Sequence, residues 1–124
     1  MKILLVEDDE ALLKIMEHRF SLSGTYQIYT ASNGKEAMQL AQQYQPDVVI
    51  TDMLMPLFSG AELINFIRTE LQIPAYVIAM SAIGVEDFTK EAIEIGADRF
   101  VAKPFDLSEF VSSVESFFSV ARAS

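Results

Sequence analysis

A three-layer α/β fold, one parallel sheet with helices on both faces, is what this chain of 124 residues predicts. Three observations carry that expectation. Short continuous apolar runs stand at Ile3-Leu4-Leu5-Val6, Val48-Val49-Ile50 and Tyr76-Val77-Ile78-Ala79-Met80. Strands covered on both faces by helices read this way, without polar alternation. Between the runs lie segments of helical period, and the two kinds alternate five times.

The elements follow in order. The first strand, Ile3 to Val6, leads to a helix whose apolar stripe is Leu12, Ile15, Met16 and Phe20. A weaker strand, Tyr26 to Thr30, follows Ser23-Gly24. Ala37, Leu40, Ala41 and Tyr44 mark the second helix, which stops before Gln45-Pro46. After the third strand comes a helix striped by Leu63, Phe66, Ile67 and Leu71, closed by Ile73-Pro74. The fourth strand is followed by a helix from Glu86 to Ile95, with Gly96 as its C-terminal glycine. Arg99 to Ala102 is the fifth strand. Leu107, Phe110, Val111, Val114, Phe117 and Phe118 stripe the last helix, with Ser108 or Asp106 as its cap. No linker or repeat interrupts the series, so residues 1–124 are expected to be one domain.

Composition narrows the chemistry. Nine Lys and Arg against 18 Asp and Glu give a net charge of -9, which argues against direct binding to nucleic acid or to an anionic membrane. There is no cysteine and only one histidine, His18. Disulfides, thiolate metal sites and cysteine nucleophiles are excluded, and a Ser-His-Asp triad or histidine-based metal site is disfavoured. A metal here must be a hard cation held by oxygen. No signal peptide or membrane span is recognisable, so the expected location is the cytoplasm.

In an open parallel sheet, function gathers at the carboxyl ends of the strands. Glu7-Asp8-Asp9 follow the first strand, Asp52 the third, Ser81-Ala82 the fourth and Lys103-Pro104 the fifth. Singly, each has an ordinary explanation. Asp9 suits a helix cap, Asp52 a loop, Ser81 a turn, and Lys103 a solvated amine. Together they explain one another. Crowded carboxylates repel, and a divalent cation such as Mg2+ relieves them. An aspartate can attack phosphorus to give an acyl phosphate. A lysine and a hydroxyl then supply charge and a donor to the phosphoryl oxygens.

These segments resemble the receiver domain of two-component response regulators over essentially the whole chain. The resemblance rests on Ile3 to Asp9, on Asp47 to Pro56 with Gly60 beyond, and on Met80-Ser81-Ala82, Gly96-Ala97-Asp98 and Phe100 to Phe105. It implies a flavodoxin-like (βα)5 fold with sheet order 2-1-3-4-5, the order also found in the family's chemotaxis member. Asp52 would be the phosphoacceptor. Asp8, Asp52 and the backbone carbonyl of Leu54 would hold Mg2+, or Mn2+ in its place, with Glu7 acting through water. Lys103, Ser81 and the Ala82 backbone would bind the phosphoryl group, and Lys103-Pro104 would be a cis peptide. Phe100 takes the aromatic switch position. The implied partners are a sensor histidine kinase or phosphotransfer protein, and a downstream protein target on the face of the fourth helix, fifth strand and fifth helix. Dimerisation is left open. The implied role is signalling, with catalysis limited to the domain's own phosphorylation and slow self-dephosphorylation.

Departures from the family pattern sharpen these expectations. Phe100 lacks the hydroxyl of the commoner tyrosine. The loop Leu57-Phe58-Ser59-Gly60 is unusually apolar, so Phe58 either forms a contact surface or packs on the third helix. Leu54 and Ile83, the positions flanking the path of attacking water, cannot orient a water, which predicts slow loss of phosphate. Rival readings are a receiver-like interaction module that is never phosphorylated, a flavodoxin-type FMN protein and an aspartyl-phosphate hydrolase. Three acids where FMN needs a phosphate loop weigh against the second, and Leu54 in place of a general acid weighs against the third.

Overall fold

The computed structural model describes residues 1–82 and 89–123, with side chains as far as Ser116. The expected positions of Ile83, Glu86 to Phe88, Phe117 and Phe118 lie outside what it describes. The strands are β1 (Lys2–Val6), β2 (Gln27–Ala31), β3 (Val48–Asp52), β4 (Tyr76–Ala82) and β5 (Arg99–Lys103). The helices are α1 (Glu10–Ser21), α2 (Gly34–Tyr44), α3 (Gly60–Asn65), α4 (Thr89–Ile95) and α5 (Leu107–Ala123). α3 runs on as a π-helical stretch, Phe66–Leu71.

All four strand pairings are parallel, in the order β2-β1-β3-β4-β5. Successive side chains on a strand point to opposite faces, so the central strands feed two separate cores. Leu4, Val6, Val49, Val77 and Ala79 join α2, α3 and α4 in one. Ile3, Leu5, Val48, Ile50, Ile78 and Met80 join α1 and α5 in the other. That is why β1 and β3 read as unbroken apolar runs.

Local chemistry sets the element ends. Asp9 Oδ1 accepts the amides of Ala11 and Leu12, capping α1. Asn33 caps α2 through Glu36 N, and Ser59 with Glu62 forms a capping box on α3. Asp106 caps α5, its Oδ1 accepting Glu109 N, while Ser108 instead accepts from Arg19. Gly96, at φ 121°, closes α4.

The structure corrects the stripe of α1. Its buried residues are Leu13, Met16 and Phe20, whereas Ile15 is 52% exposed. Leu13, Met16 and Phe20 pack into the core shared with α5, with Leu12 partly buried beside them. Ile15, about 200° round from Leu13, faces away. On edge strand β2, the start is Gln27 rather than Tyr26, and only Ala31 is buried. Tyr26 packs edge-on against Phe20 instead.

Candidate functional site

Sheet register builds the site. Val6 pairs with Thr51, so the next residues along, Glu7 and Asp52, emerge side by side. Asp52 pairs with Met80, Met80 with Val101, and Ala82 with Lys103. Counting by twos along each strand, Glu7, Asp52 and Lys103 share the parity of the α1/α5 core. Ser81 and Phe100 have the opposite parity, because Ala79 pairs with Phe100 and Ser81 with Ala102. One set of strand ends thus supplies the charged cluster, and the other supplies a hydroxyl and an aromatic ring. The order places the charges at the β1/β3 switch point, where ligands of open α/β sheets bind.

The charged cluster is tightly connected. Lys103 Nζ donates to Asp52 Oδ2 at 2.5 Å and also to Glu7 Oε1. Asp52 Oδ1 accepts the Leu54 amide at 3.0 Å, and Glu7 Oε2 accepts the Asp9 amide at 3.3 Å. Glu7 is 1% exposed and Asp52 6%, while Asp8 is exposed. Burial pushes the Glu7 carboxyl up to about 7; the Lys103 hydrogen bond opposes this, and the neighbouring Asp52 charge adds to it. Burial works against the Lys103 ammonium, but its bonds to Asp52 and Glu7 outweigh that and raise its pKa. The Lys103-Pro104 peptide is cis, as the resemblance implied.

Glu7, Asp8 and Asp52 each offer an oxygen, all within 4.8 Å of one another. Such a set suits a small hard cation. The hydrogen bond from the Leu54 amide to Asp52 holds the Leu54 backbone beside that carboxylate, and the residue is 48% exposed. On the other parity, Ser81 is 2% exposed, and its Oγ has no hydrogen-bond partner among the described residues. A buried hydroxyl left unpaired is costly, and this one lies at the same carboxyl edge of the sheet as Asp52, one residue beyond Met80, which pairs with Asp52. Ala82 is exposed at the end of β4. Phe100 is half-buried against the α2/α3/α4 core, and Ile83 lies outside the described residues.

Three supports have no role assigned to them by the sequence reading. A Cβ at Gly60 would meet the Asp52 carbonyl at 2.2 Å, so only glycine lets α3 start against the end of β3. Thr51 is buried, and its hydroxyl donates to the Asp52 carbonyl at 2.9 Å. Arg68 reaches from the π-helical stretch to Gly96 O, Ile73 O and Asp98, and Asp98 also accepts the Val77 amide. The Asp52-to-Gly60 interval signals the first. Nothing local in the sequence signals the Arg68 contacts.

The response regulator receiver domain profile matches residues 3–115. A Guillardia theta protein described as "Probable transcriptional regulator ycf27" is 37% identical over 93% of this chain and 44% of its own length. A protein of the same description from Porphyra purpurea is 35% identical over 93% of this chain and 46% of its own. The chain therefore spans less than half the length of these relatives. Among solved structures, the N-terminal domain of an uncharacterized Wolinella succinogenes protein superposes with a TM-score of 0.87 at 30% identity, covering 99% of this chain and 98% of that one. The receiver domain of the Francisella response regulator 1452 gives 0.84 at 28% identity, over 97% and 98%. No helix among the described residues is long and apolar enough to cross a membrane. Fold, strand-end residues and profile agree: this chain belongs to the response regulator receiver domain family of two-component signalling.

Proposed function

We propose that the domain, taken over residues 1–124, accepts a phosphoryl group on Asp52 from the phosphohistidine of a sensor kinase or phosphotransfer protein. The observation that carries this reading is the shared lysine. Lys103 bridges Asp52 and Glu7, so one cation already stands where the charge of an arriving phosphoryl group must be met. An Asp52 carboxylate oxygen attacks phosphorus as the P–N bond breaks. The electron pair of that bond goes to the ring nitrogen, and the proton on the other nitrogen leaves the imidazole neutral. Lys103 shifts its hydrogen bonds from the Asp52 carboxylate to the phosphoryl oxygens. The Ser81 hydroxyl and the Ala82 amide donate to the same oxygens, which gives Ser81 Oγ, without a partner among the described residues, an acceptor.

Asp8, Asp52 and the Leu54 carbonyl would hold Mg2+ or Mn2+, with Glu7 one water removed. When bound, the cation neutralises negative charge on the carboxylates and on the transferring group. A cavity of about 400 Å³, lined by Leu12, Ala82, Lys103, Pro104, Phe105 and Leu107, offers the phosphodonor protein an apolar seat beside the lysine. Movement of Ser81 frees space for Phe100, and a downstream protein reads the change on α4, β5 and α5. Leu54 has no group to position a water, so self-dephosphorylation is slow. The proposed location is the cytoplasm.

The test is incubation with acetyl phosphate and Mg2+, followed by intact mass measurement and hydroxylamine treatment. One hydroxylamine-labile phosphoryl group is expected, absent without the cation and absent in Asp52→Asn. Wild-type protein that gains none would leave an interaction module that is never phosphorylated.

A further inference from the structure

We infer a second docking surface, formed by the loop between β3 and α3 with the flanks of α2 and α3, whose partner is a protein segment bearing an apolar anchor among lysines or arginines. Leu57 is 62% exposed and Phe58 47% exposed. Both adopt left-handed backbone, with φ of 50° and 74°, a region that bulky side chains disfavour. Backbone contacts, not the burial of these side chains, hold the loop. The Gly34 amide donates to the Pro56 carbonyl at 3.2 Å, and the Gly60 amide donates to the Met53 carbonyl at 3.0 Å. A Cβ at Gly34 would sit 2.2 Å from the Phe58 carbonyl, so the start of α2 is shaped to take the loop's backbone. Polar residues would satisfy the same turn at less strain. Two large apolar side chains displayed there suit contact with another molecule.

A cavity of about 320 Å³ adjoins them, with Phe58, Met38 and Phe66 as its apolar walls. Glu62 and Glu70 also line it, and among the described residues neither has a basic partner. Charge selects the occupant. A second copy of this chain brings another net charge of -9 toward that acidic rim and is repelled. A segment with one apolar side chain for the cavity and basic residues for the rim fits both features. The surface is separate from the apolar seat beside Lys103, which shares no residue with it.

The probe is a synthetic helical peptide of leucine and lysine, with a leucine and glutamate peptide as control, titrated into the labelled full chain and followed by amide NMR. The leucine and lysine peptide should shift Leu57, Phe58, Asn65 and Glu70, and the control should not. Phe58→Asn removes the ring but tolerates left-handed backbone, and should weaken binding about tenfold. Leu57→Asn and Glu70→Lys should each weaken it severalfold, and thermal melts show that each variant folds. Shifts confined to another face, or equal binding by all variants, would overturn the inference. So would a wild-type dimer in sedimentation that Phe58→Asn abolishes, because the occupant would then be a second copy.

Discussion

The strand ends carry two sets of side chains that differ in how completely they are satisfied. On the α1/α5 parity, Glu7, Asp52 and Lys103 are linked by ion pairs and held by backbone amides. On the opposite parity, Ser81 Oγ has no partner among the described residues, and Phe100 is only half-buried. The first set is closed on itself and strongly charged. The second is neutral and unfinished. On the proposed function, a phosphoryl group arriving on Asp52 would change the charge balance of the first set and give Ser81 an acceptor in the second. The proposed sensing and response would then be separated by the pleat of one sheet rather than by distance along the chain.

The largest expected effect comes from breaking the closed set. Lys103→Ala leaves the buried Glu7 and Asp52 carboxylates without their counter-charge. The metal-free protein should lose on the order of 3 kcal/mol in urea unfolding. Its rate of phosphorylation by acetyl phosphate should fall about a hundredfold or more. Unchanged phosphorylation would place the cation for the phosphoryl group elsewhere.

The pH dependence of stability sharpens the same side. Burial pushes the Glu7 carboxyl up to about 7 in the folded protein, from 4.5 when unperturbed. Between those values the folded state holds a proton that the unfolded chain has lost, so this group's contribution falls as pH rises through the window and is constant above it. Metal-free melts should show that decline, and Glu7→Gln should remove it. Millimolar Mg2+ should flatten it too, because bound cation favours the ionised carboxylate. A slope that persists in Glu7→Gln belongs to another group.

The smallest effect lies on the unfinished side. Ser81→Ala removes a buried hydroxyl that has no partner among the described residues, and should leave stability unchanged or raise it by about 1 kcal/mol in the unphosphorylated protein. A clear loss of stability would show that Ser81 is already satisfied.

Much of this was legible in the sequence, for reasons that differ by region. β1, β3 and β4 are covered on both faces, so their apolar runs leave little ambiguity. β2 pairs with β1 alone and is mostly half-exposed, which blurs its start by one residue. The stripe of α1 is ambiguous in the sequence because Leu12, Leu13, Ile15, Met16 and Phe20 fit more than one helical face, and only packing against the sheet decides between them. Glu7, Asp52, Ser81 and Lys103 stood out as polar residues ending apolar strands. Their division between two parities did not, since it depends on the register of β3 with β4 and of β4 with β5. Gly34 was equally opaque, because the reason for it is the carbonyl of Phe58.

The separation of sensing from response is tested most directly by amide NMR with Mg2+ and beryllofluoride, an acyl-phosphate mimic. In the wild type, amides at Asp52 and Leu54 and those at Ala82 and Phe100 should all shift. In Ser81→Ala, the Asp52 and Leu54 shifts should remain while the Phe100 shift is lost. A Phe100 shift as large in Ser81→Ala as in the wild type, or binding that survives Asp52→Asn, would contradict the account.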